Sequence, residues 1–202
     1  LLLGHDETQQ LVDKLAAAAP KLVEELIPKK LQIGALTQVL QNLLAEGVSI
    51  RDLRGVLMAL APVAEKVQDI EELTGVARVA LGRMIVQQYV LHGEELSVMT
   101  LAPELEQVLH ATVRRGQGGN VPIEPELAEG LLQSVGRASR DETNADRPAI
   151  LVTSPTLRPW LSRVLRPRIP GLSVLSYAEL PEDTSLRVNS SITVQPRTSA
   201  AA

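Results

Sequence analysis

The sequence contains no cysteine and no phenylalanine, one tryptophan and two tyrosines. Without thiols there are no disulfides and no thiolate metal sites, and a reducing compartment is permitted. With so few aromatics the core must be built from Leu, Val, Ile and Ala. That favours tightly packed helices over a sandwich or barrel and removes the stacking platforms of single-strand nucleic-acid binders. No apolar run approaches the roughly 20 residues of a membrane span. The formal net charge of −4 argues against general affinity for nucleic acid or an anionic membrane. The opening "LLLGHDETQQ" has neither the basic region nor the cleavage site of a signal peptide, and no initiator Met. The chain reads as a piece of something longer.

What is present suffices for a core. Of 202 residues, 45% are apolar, enough for one large or two small domains without covalent staples. The first half is written in helical periods. Asp6 can cap a helix carrying Leu11, Val12 and Leu15, which Pro20 ends. Leu22, Val23, Leu26 and Ile27 form the next stripe, and Ile33, Leu36, Val39, Leu40, Leu43 and Leu44 a third, stopped by Gly47. In "EGVSIRDL", residues 46–53, Ser49 is placed to cap a helix over 50–60, with Asp52 three residues on as in a capping box. Leu53, Val56, Leu57 and Leu60 face inward. Asp69 can cap a long last helix with Leu73, Val76, Ala77, Ala80, Leu81, Met84 and Ile85 inside, and "LHGEE", 91–95, breaks it.

The pattern then changes. "LSVMTL" (96–101), "AILVT" (149–153), "LSVLSY" (172–177) and "LRVNSSITV" (186–194) read as strands. They alternate with helices over 103–113, 125–138 and from Ser154 to about Arg166. "RRGQGGN", 114–120, reads as a flexible loop. The predicted fold is multi-domain: an all-α helical domain, 1–92, followed by a small α/β domain, 93–195, with 196–202 a disordered tail.

Catalytic, cofactor and metal motifs are not found. His5, His92 and His110 are far apart in sequence, without ligand-like spacing. "GQGGN" is too short for a phosphate-binding signature. Ser154 follows a strand and precedes a helix, the place of a nucleophile elbow, but the flanking glycines of that motif are missing, and a helix cap is the preferred reading. A hydrolase would need His92 or His110 beside it in space. The pairs Glu24–Glu25, Glu71–Glu72, Glu94–Glu95 and Glu182–Asp183 read as solvated faces, since adjacent residues do not share a helix face. Trp160 reads as packed, half-buried, in the α/β layer. No enzyme, metal or cofactor is expected.

The "EGVSIRDL" unit also raises a helix-turn-helix reading. A DNA-binding regulator with an α/β sensor domain is therefore the alternative. Arg51 and Arg54 could serve DNA, but Asp52 lies between them and no Lys, Asn or Gln joins them. A charged edge for pairing with another protein fits better. Arg51, Asp52, Arg54 and Arg83 are the candidate oligomer-interface residues, because arginines at a rim form forked bonds with a neighbour's carboxylates.

The runs "PKLVEELIP" (20–28), "VLQNLLAEGVSIRDL" (39–53), "ALGRMIVQQY" (80–89), "TLAPELEQ" (100–107), "LVTSPTLRPWLSRVL" (151–165) and "VLSYAELPED" (174–183) fall in an order that resembles the FlhA/LcrD family, the export gates of type III secretion systems. The likeness covers nearly the whole chain. Ala19, Lys30, Ala102 and Ala178 stand where the family pattern has other residues, and none of these is a catalytic position. The resemblance implies a parent with an N-terminal half of membrane helices, at the bacterial inner membrane. Its cytoplasmic half has four subdomains, and this fragment, the third and fourth, does not itself insert in the membrane. It further implies a nonameric ring built by the third subdomain and docking of export chaperones, their substrates and other export-apparatus proteins. It implies no chemistry and no nucleic acid. The stretch "VMTLAPELEQ" looks more flagellar than injectisome.

Overall fold

The computed structural model describes residues 3–91, 93–115 and 124–194. They divide into two compact units, Leu1–Gln88 and Tyr89–Ala202. The stretch read as the flexible loop, apart from its first two residues, and the stretch read as the tail lie outside the described residues, as does His92.

The first unit contains α1 (His5–Ala18), α2 (Pro20–Leu26), α3 (Ile33–Ala45), α4 (Leu53–Leu60), α5 (Ile70–Ala80) and α6 (Gly82–Val86). Helix α1 starts one residue before Asp6, so Asp6 does not cap it. Gly4 holds the cap position, and its N–H donates to the Glu7 carboxylate at 2.9 Å. Pro20 opens α2, where its missing N–H costs nothing. Helix α3 ends in a turn that needs glycine: Gly47 has φ 74°, and the Val48 N–H returns to the Leu43 carbonyl at 2.9 Å. Val48 is buried there, as are Leu36, Val39, Leu40 and Leu43 along the inner stripe of α3. Each such side chain contributes roughly 1.5–3 kcal/mol by leaving water.

The expected long last helix is two helices. Asp69 caps α5 as read, accepting from the Glu72 N–H at 2.8 Å. The ladder breaks at Leu81, with Gly82 opening α6. Leu73, Ala77, Leu81 and Ile85 are buried, whereas Ala80, expected inside, is exposed. Arg78, which the apolar pattern passes over, is buried instead: its side chain is only 2% exposed, and its Nη1 lies 3.2 Å from the Glu46 carboxylate at the end of α3. A cation there also meets the negative end of the α3 dipole.

The second unit has β1 (Leu96–Leu101), α7 (Pro103–Arg115), α8 (Pro125–Asn144), β2 (Ile150–Thr153), α9 (Arg158–Leu165), β3 (Ser173–Ser176), a 3₁₀ turn (Tyr177–Glu179) and β4 (Leu186–Ile192). The four strands form one parallel sheet in the order β3-β2-β1-β4. Met99, Leu101, Leu151 and Val174 on one sheet face pack with Leu105, Leu109, Leu131, Val135, Leu161 and Leu165 of the helices. Val98, Ile150, Val152 and Leu175, on the alternate positions, are buried as well. Burial on both faces is why these strands read as continuous apolar runs. Trp160 lies in the core at 8% exposure, deeper than the half-burial expected.

Helix α8 runs six residues past its expected end at 138. Its last turns carry Ser139 and Glu142, both buried polar residues that a hydrophobic pattern does not count. Strand β4 pairs with β1 through an irregularity: Val98 faces Val188 but Met99 faces Ser190, leaving Asn189 as an extra residue bulged from the ladder.

Candidate functional site

The loop between α3 and α4 carries the interface candidates, and its local geometry differs from the sequence reading. Ser49 does not cap a helix. Its Oγ accepts from the Arg51 N–H at 3.4 Å, two residues on, while Asp52 caps α4 by accepting from the Gly55 N–H at 2.9 Å. The helix begins at 53 rather than 50. The short Asp side chain, one residue from the first helical turn, reaches an orphan N–H that Ser49 cannot. Gly55 follows from the same cap, because a Cβ at that position would collide with the Asp52 carboxylate. Arg51, placed inside the helix expected over 50–60, therefore precedes it and does not share a helical face with Arg54. Arg51, Asp52 and Arg54 are exposed, and so is Arg83 on α6. The outward positions of α4 are Arg54 and Met58.

Ser154 and His110 meet. The Ser154 Oγ lies 3.0 Å from His110 Nε2, joining the turn after β2 to α7. The proximity that the hydrolase reading requires is thus present, and sequence separation of 44 residues hid it. What the pair can do is limited by its surroundings. The residue after a nucleophile in an elbow supplies a backbone N–H to the oxyanion. Here that residue is Pro155, which has none. Among the described residues no carboxylate is paired with the His110 ring to orient it. Ser154 instead starts the turn into α9: its Oγ faces the Leu157 N–H at 3.4 Å and its carbonyl accepts from the Arg158 N–H at 3.0 Å. Helix α9 thus opens at Arg158, four residues later than read.

Beside this turn, Arg158 and Glu179 form an almost fully buried pair, Nε to Oε1 3.6 Å, with Ser176 Oγ donating to the same carboxylate at 3.2 Å. Nothing in the linear pattern signals this pair, because its two members lie in different elements and 21 residues apart. A second polar knot holds α8 to β4. The Glu142 side chain, 3% exposed, takes Arg147 Nε at 2.7 Å and Asn189 Nδ2 at 3.0 and 3.2 Å. Arg147's hydrogen bond holds the Glu142 carboxyl below its ordinary range, against the upward push of burial, and the Asn189 bond adds to the lowering. Among the described residues no group of His, Asp and Glu is arranged to hold a metal ion, and no helix is long and apolar enough to cross a membrane. The four acidic pairs are exposed, as read.

A family model described as the FHIPEP family matches residues 1–185. The chain belongs to the FHIPEP family. It is similar to the flagellar biosynthesis protein FlhA of Salmonella typhimurium, 42% identical over 191 residues, covering 95% of this chain and 27% of that protein. Among solved structures, the Shigella flexneri MxiA protein superposes with a TM-score of 0.83 at 26% identity, covering 94% of this chain and 59% of that one. Nonameric EPEC SctV-C gives 0.82 at 28% identity, over 94% and 57%. This FHIPEP chain therefore spans about a quarter of the length of its curated relative. The resemblance carried by "PKLVEEL", "VSIRDL" and "GRMIVQQY" is borne out at the level of the family.

Proposed function

We propose that this chain is the ring-building and docking portion of a type III protein export gate of the flagellar kind. It works by assembly and partner binding and catalyses no reaction. The observation that carries the reading is the likeness to a nonameric relative over 94% of the chain at 28% identity. The flagellar assignment is supported by 42% identity to an FlhA protein. In this reading the helical unit is the third cytoplasmic subdomain and builds the ring. The α/β unit is the fourth, and the assembled surface receives export chaperones with their substrates at the cytoplasmic face of the inner membrane. The parent's membrane half lies in the remaining length of the family.

The charged edge of Arg51, Asp52, Arg54 and Arg83 is proposed as part of the contact between neighbouring helical units. Asp52 also serves α4 from within, so its carboxylate is presented at a fixed position. Each exposed ion pair is worth only ~0–1 kcal/mol, but a ring repeats it around the circle. Exchanging Arg51 and Arg54 for Glu in the complete cytoplasmic part should weaken assembly in sedimentation velocity while circular dichroism stays unchanged. Normal assembly of that variant would remove these residues from the interface. The DNA-regulator alternative is disfavoured by α4 itself, whose outward residues are one arginine and Met58, and by the family.

A further inference from the structure

The α/β unit carries a cationic groove that the ring reading does not use. A hollow of about 400 Å³ lies between the outer side of α8 and the turn before β3. Leu132, Ile169 and Pro170 give it an apolar lining, and Arg140 and Arg168 flank it from the two elements. A second hollow of about 410 Å³ shares Leu132 and Arg140 with the first and adds Arg137 and Glu129. The two form one track along α8.

The cations of this track differ from the arginines that are tied down within the fold. Arg78, Arg147, Arg158 and Arg187 are each held by a carboxylate. Among the described residues Arg137, Arg140 and Arg168 have no carboxylate partner, on a chain whose net charge is −4. Each is exposed, so each guanidinium presents its forked donors to solvent. At the opposite end the Glu129 carboxylate is engaged by Gln133 Nε2 at 3.0 Å. From Glu129 to Arg140 the helix rises about 16 Å, the reach of about five extended residues.

We propose that this track docks a short acidic segment of a partner protein, about five residues long. Its carboxylates lie over Arg137, Arg140 and Arg168, and one apolar side chain sits against Leu132 and Ile169. Charge complementarity selects the occupant, because planar guanidinium groups on two elements match carboxylates in a bidentate manner. The apolar lining asks for a peptide side chain that a phosphate polymer lacks. A nucleic acid would also meet an acidic molecule with no aromatic in the track to stack on. The inference concerns the α/β unit alone and stands whether or not the helical unit builds a ring.

The test is fluorescence anisotropy of the full chain with a labelled hexapeptide of alternating Glu and Leu, compared with the same peptide carrying Gln for Glu. Oligouridylate and phosphatidylserine vesicles serve as competing probes. The Glu peptide is expected to bind, the Gln peptide to bind at least about tenfold more weakly, and R140E/R168E to lose the Glu peptide while Trp160 emission and circular dichroism are unchanged. R163E, outside the track, should bind as the wild type does. Three results overturn the proposal: no binding of the Glu peptide, binding that survives R140E/R168E, or tighter binding of oligouridylate or vesicles that those two substitutions abolish.

Discussion

Asn189→Ala tests the polar knot between α8 and β4. The wild-type amide donates to both oxygens of Glu142, at 3.0 and 3.2 Å, and the carboxylate is 3% exposed. Hydrogen bonds to a charged group contribute about 1.5–3 kcal/mol. The substitution leaves Arg147 in place at 2.7 Å, so the loss should stay below the roughly 3–5 kcal/mol of an orphaned buried charge. A loss of about 2 kcal/mol, at a urea slope near 2 kcal/mol/M, moves the midpoint down by about 1 M. The lone tryptophan makes the assay selective, because Trp160 sits in the α/β core and its emission reports that unit while circular dichroism reports both. The pH dependence follows from the carboxyl's lowered pKa. A lowered native value stabilises the fold above the unfolded value and is lost as pH falls through the native one. The gap between wild type and variant should therefore be full at neutral pH and narrow once pH drops below the ordinary value of 4.5. An unchanged urea midpoint at pH 7, or a gap that widens in acid, would refute the reasoning.

Asp52→Ala should destabilise the helical unit by ~1 kcal/mol while Ser49→Ala costs no more than about 0.3 kcal/mol, read from the helical signal in urea; the reverse order would restore Ser49 as the cap. The Ser154–His110 pair should release no p-nitrophenol burst from p-nitrophenyl acetate, since Pro155 lacks the oxyanion N–H; a burst equal to the protein concentration and abolished by Ser154→Ala would make the chain an esterase.

Elements whose burial matches their hydrophobic period were readable in advance. Strand β1 has the bounds read for it, 96–101, and Asp69 caps α5 because the acid directly precedes an apolar stripe. Two departures share a cause, which is polar residues placed inside. Arg78 stands four residues after Thr74 and three before Leu81, within the inward stripe, so its position signalled burial although its chemistry argued against it. Glu142 extends α8 past the last apolar residue because Arg147 and Asn189 satisfy it, and those partners are distant or in another element. The α5–α6 break left no trace because Leu81 fits either a continuous or an interrupted stripe. At the interface edge, the residue types were legible but the start of α4 was not. Ser49 was read as the cap and Asp52 as its capping-box partner, and the reach of the acid to the Gly55 N–H made Asp52 the cap instead. The pairing of His110 with Ser154 depends on how α7 lies over the sheet, which a linear pattern cannot encode.

The bulge at Asn189 has a bearing on self-association. Strand β4 borders the sheet, with Leu186 and Val188 exposed at 39% and 56%. A straight border of that kind is a template on which a second copy can lay its own strand and begin an open-ended stack. The added residue increases the local twist, and Arg187, tied to Glu95 at 2.8 Å, sets a charge beside the apolar pair. Both features make continuous strand addition unfavourable. Wherever copies of this chain stand side by side at high local concentration, a finite sheet keeps their association confined to surfaces that close on themselves.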